Sequence, residues 1–380
     1  MGICMAAAIT EREAPAAALR RGAADFAGEL LVDLGAIAAN WRDLAARHPS
    51  GPVAGVVKAD GYGLGAAPVA RALAAAGCRH FFVAQFSEAL ALREALGHGP
   101  MVAVLGGFPP GADAGAGLTP VLNAPEDVAA ARAADLRGAI LHADTGMERL
   151  GLTAAELRAA GDLSGLGLRY VMTHLACADE PAHPLNAAQA TRFAALRAAL
   201  PGVPGSFANS AGMFLGPDFA SDLARPGCAL YGINPTPGRP NPMRQVLRLA
   251  VPILQIRDVA PGTTVGYGAS WTAPRQSRIA TIAAGYADGY LRSLSSRGIG
   301  ILAGRPVPLV GRVSMDLITL DVTDVPEARV GDRVEMIGPE QTPDAVAALA
   351  GTIGYEILTS LGARYRRRHL EPGRPPGMAA

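Results

Sequence analysis

The sequence predicts an α/β protein: an N-terminal (β/α)8 TIM barrel followed by a C-terminal, mostly-β domain. Three observations carry this. Short apolar runs alternate with helix-spaced stretches from about residue 53. The texture changes at a Pro- and Gly-rich segment, "NPTPGRPNP" (234–242). Residue types capable of chemistry gather where the apolar runs end, which is where barrel enzymes place their sites.

The apolar runs are "VAGVVKA" (53–59), "HFFVAQF" (80–86), "MVAVLG" (101–106), "LTPVLN" (118–123), "AILHAD" (139–144), "LRYVMTH" (168–174), "GSFANS" (205–210) and "LARPGCALYG" (223–232). Near-continuous apolar strands imply a parallel sheet covered on both faces. The stretches between them, such as "SEALALREALG", "APEDVAAARAADL" and "NAAQATRFAALRAAL", space Ala and Leu as amphipathic helices do. Ser87, Asn186 and the "NAPED" run suit helix starts. A doubly wound sheet is the alternative, but no GxGxxG follows the first strand.

Beyond 242, runs such as "LRLAVPILQI", "SRIATIAA", "LITLDVT" and "DRVEMIG" are punctuated by Gly and Pro, without long helices until about 343. That pattern reads as short antiparallel strands. The barrel is expected over residues 29–240 and the β domain over 241–380. "LLVDLGAI" (30–37) is a candidate extra strand for the β domain. Residues 1–28 read as a disordered or extended N-terminus, with acids and arginines where a signal peptide needs an apolar core.

The chain has 380 residues, half of them hydrophobic, and a net charge of +1. No strong field draws in nucleic acid or an anionic membrane. The basic run "RYRRRH" (364–369) is read as a solvated face or a contact between subunits. Cys4, Cys78, Cys177 and Cys228 lack the spacing of a zinc site or a disulfide framework, so no metal and a cytoplasmic location are expected. No uncharged run of about twenty apolar residues predicts a membrane span.

Lys58, at the end of the first barrel strand, is the only lysine; every other basic residue in the Lys+Arg total of 34 is arginine. A lysine amine forms an imine with an aldehyde, whereas a guanidinium does not at ordinary pH. A composition that turns lysine to arginine elsewhere spares one whose nitrogen must be nucleophilic. The aldehyde cofactor that needs such a lysine is pyridoxal 5'-phosphate. Its phosphate would need a cradle near the last barrel strands, where Ser210 and Gly227 stand.

"VVKADGYGLGA" resembles the pyridoxal-attachment motif of alanine racemases. So do "DTGMERLG" (144–151), "THLACADE" (173–180), "FANSAG", "RPGCALYG", "VGYGASW" (265–271), "AAGYADGY" (283–290), "VGRVSMDL" (310–317) and "GYEILTSLGARYRR" (354–367), in the family's order and across residues 30 to 370. The resemblance implies a homodimeric enzyme that interconverts L- and D-alanine with two bases and supplies D-alanine for peptidoglycan. Lys58 would hold the cofactor and act as one base; Tyr267 of the partner subunit would be the other, with His174 nearby. Tyr62, Ser210, Tyr355 and the backbone at Gly227 and Cys228 would hold the phosphate. Arg225 would face the pyridine nitrogen and, being always charged, leave it unprotonated. Arg149 and the backbone of Met315 would hold the substrate carboxylate, and Tyr286 with Tyr355 would narrow the entrance.

One position departs from the family. Many members carry a carbamylated lysine two residues before the Asp of "DTGM"; here it is His142, so His142, an anion or water must orient Arg149. The competing readings are a serine or lysine racemase, a barrel-type decarboxylase and a cofactor carrier. Decarboxylases of this design are expected to set an acid against the ring nitrogen, and carriers lack the β domain.

Overall fold

The structure, a computed structural model, describes residues 27–109 and 111–371. The expected N-terminal extension lies outside the described residues except for positions 27 and 28, as does Cys4.

Seven parallel strands lie side by side in chain order: Gly55–Val56, His80–Val83, Met101–Val104, Thr119–Leu122, Ile140–His142, Tyr170–Met172 and Gly205–Ser206. Their side chains are buried almost without interruption, as the apolar runs require. The expected eighth strand, 223–232, shrinks to two bridging residues. Leu223 pairs with Ser206 and Ala224 with Val53, both parallel, so this segment joins the last strand to the first and closes the barrel. Pro226 has no N–H to extend the ladder, and the chain turns into a short 3-10 helix, Cys228–Tyr231.

Helices Ala66–Ala76, Phe86–Leu96, Pro125–Ala133, Ala154–Ala160 and Pro184–Ala199 wrap the barrel. The connection from Val104 to Thr119 holds only a 3-10 turn, Ala114–Ala116, because its run of Gly and Pro suits no longer helix. The helix Leu34–Arg47, which precedes the first barrel strand, covers the closing seam. Its Trp41 Nε1 donates to Val53 O at 3.0 Å. Its Asn40 is fully buried and makes three bonds, donating to Leu230 O and Arg244 O and accepting from Arg244 N.

The β domain is built on the long strand Leu247–Val259, flanked by Arg333–Ile337, Ser277–Ile282 and, antiparallel, Glu29–Asp33. Glu29–Asp33 also pairs in parallel with the last strand, Arg366–Leu370. The segment 30–37 is thus half strand and half helix: Asp33 ends the strand and its carboxylate accepts from Ala36 N at 2.8 Å, capping Leu34–Arg47. The run 364–369 is solvated on one face, where Arg364, Arg366 and Arg368 are exposed, but it is also tied into the domain. Tyr365 is buried, Arg364 clasps Asp288 and Asp316, and Arg368 pairs with Glu29. One apolar core runs from barrel residues such as Val57 and Phe82 to Leu249, Ile282 and Leu358 of the β domain. Among the described residues no helix is long and apolar enough to cross a membrane.

Asn40→Leu keeps the volume and leaves three backbone groups, Leu230 O and the Arg244 N and O, without their partner. Each unmet group costs ~1–3 kcal/mol, so the variant should lose about 4 kcal/mol of stability, read from chemical denaturation.

Candidate active site

Lys58 lies two residues past the first barrel strand, Gly55–Val56, and the chain then does something unusual. Ala59, Asp60, Gly61, Tyr62 and Gly63 all take positive φ, between 51° and 80°. This left-handed turn costs roughly 1–2 kcal/mol for each residue that carries a Cβ. Its surroundings hold it. Glu88 Oε1 accepts from Ala59 N at 2.6 Å, and Asp60 Oδ1 accepts from Ala66 N at 2.8 Å. From the last strand, Arg367 donates to Gly63 O and the His369 ring sits 2.8 Å from Leu64 O. The turn presents Lys58 to a cavity of about 770 Å³ at the C-terminal ends of the barrel strands. Burial lowers the lysine's pKa, Arg149 lowers it further, and Glu88 opposes them.

At one end of this cavity stand Tyr62, Ser210, Gly227, Cys228 and Tyr355. Ser210 Oγ accepts from Gly227 N at 2.9 Å and Ala229 N at 3.3 Å. A Cβ on Gly227 would lie 2.2 Å from the Tyr62 hydroxyl, so only glycine admits that phenol. Tyr62 stacks on Tyr231 at 4.6 Å, and Tyr231 is tied by its hydroxyl to Val56 O. Burial raises the pKa of Tyr62 and Tyr355, so both phenols stay protonated donors. Three hydroxyl groups beside a glycine backbone form a cradle for a tetrahedral oxyanion in the same cavity as a primary amine. A phosphorylated aldehyde fits that pairing.

The cavity floor carries Arg225, buried and bonded only to neutral acceptors. Its guanidinium donates to Ser206 Oγ and to Thr173 O (2.6 Å), and lies 3.5 Å from His174 Nδ1. Burial brings its pKa down to about 10, which leaves it charged at neutral pH. That charge, after burial itself, holds His174 down at about 3 and His142 at about 4. His142 lies against Asn123, with Nδ1 2.8 Å from Oδ1. The Arg149 side chain lines the same cavity and makes no hydrogen bond or ion pair among the described residues, so His142 does not hold it directly here.

Behind this layer, Gln189 of the helix Pro184–Ala199 ties two site loops together. Its amide donates to Thr145 Oγ1 and His174 O and accepts from Ala176 N. Thr145 and Thr173 share a hydroxyl bond of 2.7 Å. Sequence reading missed Gln189, Glu88 and Asn123. Only Asn123 leaves a trace, as a polar residue closing the apolar run "LTPVLN".

Tyr267, Tyr286 and Met315 do not line this cavity. They lie on the β domain, 72 %, 43 % and 53 % exposed. Tyr286 N donates to Ser314 O and Ala287 N to Met315 O, so two of the three share one surface; a Cβ on Gly268, next to Tyr267, would lie 3.1 Å from the Arg312 guanidinium.

Residues 32–235 match the alanine racemase N-terminal domain and residues 246–369 the alanine racemase C-terminal domain. The chain belongs to the alanine racemase family. It is 58 % identical over 354 residues to the alanine racemase of Acidiphilium cryptum, covering 89 % of this chain and 97 % of that one. It is 50 % identical over 355 residues to a protein of Mesorhizobium japonicum named alanine racemase, catabolic, covering 90 % and 93 %. The crystal structure of alanine racemase from Bartonella henselae with covalently bound pyridoxal phosphate superposes with a TM-score of 0.86 at 41 % identity, over 90 % of this chain and 99 % of that one. The barrel and the β domain described above are therefore the family's two domains, and the segment 236–245 joins them.

Two outcomes follow from the site's packing. Gln189→Leu leaves the Thr145, His174 and Ala176 groups unmet and should cost about 3 kcal/mol in thermal or chemical unfolding. In the unfolded chain His142 takes up a proton near pH 6.5, while the native fold keeps it neutral to about 4. Native stability should therefore fall as pH drops through that interval, and the thermal midpoint of His142→Gln should fall less steeply.

Proposed function

We propose that this chain is a pyridoxal 5'-phosphate-dependent enzyme that interconverts L- and D-alanine as a cytoplasmic homodimer. The observation that carries the reading is the lone lysine, set by a left-handed turn at the barrel mouth opposite a cradle of hydroxyl donors. When bound, the cofactor supplies an aldehyde for the substrate amine and an electron-withdrawing ring that acidifies the Cα proton.

This chain's residues do the rest. Lys58 tethers the cofactor and, once freed by the substrate amine, moves a proton at Cα on one face. Tyr62, Ser210, Tyr355 and the backbone at Gly227 and Cys228 hold the phosphate. Arg225 stands toward the ring nitrogen as a donor that stays charged, so it does not deliver a proton there. Arg149 makes no hydrogen bond or ion pair among the described residues and is available to the substrate carboxylate. Tyr267 of the partner subunit serves the opposite face of Cα, and the partner's Met315 lends its N–H to the carboxylate. With the partner's Tyr286 in place, the open side of the cavity narrows to suit a methyl side chain. The exposure of these three groups supports the reading, because exposed tyrosine and methionine side chains are what an interface covers. D-alanine made this way would supply peptidoglycan.

Purified protein loaded with pyridoxal 5'-phosphate should convert L-alanine to D-alanine, followed by a coupled D-amino-acid oxidase assay, with serine and lysine far slower. Lys58→Ala should abolish turnover. Tyr267→Phe should lose Cα deuterium exchange from one enantiomer while retaining it from the other. Specific activity should fall on dilution as protomers part. Release of CO2 instead of D-alanine would assign a decarboxylase.

A further inference from the structure

We infer that Asn123 is a positioning residue: it locks His142 in its neutral Nδ1–H form, so that Nε2 is a bare acceptor for Arg149 when that side chain turns onto the substrate carboxylate. This rests on the racemase reading of the cavity and adds to it a residue that touches neither substrate nor cofactor.

The lock follows from hydrogen-bond accounting. Asn123 is buried, and its amide nitrogen donates to two carbonyls, Leu105 O at 2.8 Å and Val121 O at 3.2 Å. Both N–H bonds are used, so the amide cannot turn over without setting its oxygen against two carbonyl oxygens. Oδ1 is therefore what faces His142, and an amide oxygen only accepts. The ring atom 2.8 Å away, Nδ1, must carry the proton. In the neutral ring Nε2 then has a lone pair and no proton. Nε2 has no partner among the described residues, yet it is not among the sealed, unsatisfied polar atoms, so it opens onto the cavity that His142 lines.

Arg149 is the donor that matches. It lines the same cavity and acts electrostatically on His142, as do Arg225 and Asp144. A proton on Nε2 would place a cation against the guanidinium; the lone pair accepts from it. Asn123 also acts on Arg149 through the main chain. Its carbonyl accepts from Gly151 N at 3.2 Å, and His142 O accepts from Leu152 N at 2.9 Å. Both bonds anchor the far end of the loop that carries Arg149. Asp144 Oδ1 anchors the near end through Gly146 N and Met147 N.

The test is imidazole 15N NMR of the cofactor-loaded enzyme, with His142 assigned by the signal lost in His142→Gln. The expected spectrum has His142 Nδ1 protonated and Nε2 unprotonated at neutral pH. A protonated Nε2 overturns the inference. That readout needs no turnover, so an enzyme inactive on alanine would sink the racemase reading and leave the lock standing or falling by its own signal. In steady-state kinetics, Asn123→Leu and His142→Leu should each raise KM for alanine ~10-fold, as loss of one hydrogen bond to a charged group does, while kcat stays within about threefold. The double variant should be no worse than either single one. Loss of kcat with KM unchanged, or an Asn123→Leu KM equal to wild type, would show that Asn123 serves the fold alone.

Discussion

Much of this site depends on one buried positive charge held without a carboxylate. Arg225 sits on the barrel floor and spends its donors on a serine hydroxyl and a backbone carbonyl. A guanidinium so placed keeps its proton, and its field makes further cations nearby costly. The two neighbouring histidines stay neutral for that reason as well as through burial. A neutral histidine has one donor and one acceptor, so each ring's partners then matter. For His142 that partner is Asn123 Oδ1, and for His174 it is Arg225 itself, 3.5 Å from Nδ1.

A second constraint is geometric. A run of left-handed residues after Lys58 is unfavourable alone and persists because distant groups hold it. Glu88 comes from the barrel helix Phe86–Leu96, and Arg367 and His369 from the strand Arg366–Leu370 of the β domain. The orientation of the reactive amine is therefore a property of both domains together. The continuous apolar core between them makes the β domain a fixed wall of the cavity, and Tyr355 arrives on that wall.

The sequence made the barrel legible because its strands are buried on both faces and so read as unbroken apolar runs. It overstated the eighth strand, where Pro226 stops the ladder, and the third helix, where Gly and Pro fill the connection. Lys58 stood out by composition and the cradle residues by motif. Gln189, Glu88 and Asn123 did not, because the bonds that tie them to the site reach partners 13 to 44 positions away along the chain, and no local spacing marks those contacts. Asn186 was read as a helix start, yet His183 takes the cap and Asn186 turns back to Cys177 O and Glu180 O. Tyr267, Tyr286 and Met315 were legible through the motifs "VGYGASW", "AAGYADGY" and "VGRVSMDL", yet within a single protomer they remain apart from the cavity.

The strand Glu29–Asp33 has its own consequence. It precedes every other described strand, yet it lies between Leu247–Val259 and Arg366–Leu370, the last of the described strands. During synthesis it has no strand neighbour among the described residues until more than two hundred residues have followed, and its second edge stays bare until Arg366–Leu370 has been made. Contacts of such long sequence separation slow assembly and expose strand edges meanwhile. The helix Leu34–Arg47, which seals the barrel seam, is continuous with that strand, so the barrel completes its wall late too. A nascent chain halted near residue 240 would hold most of the barrel's sequence and still lack a settled beginning.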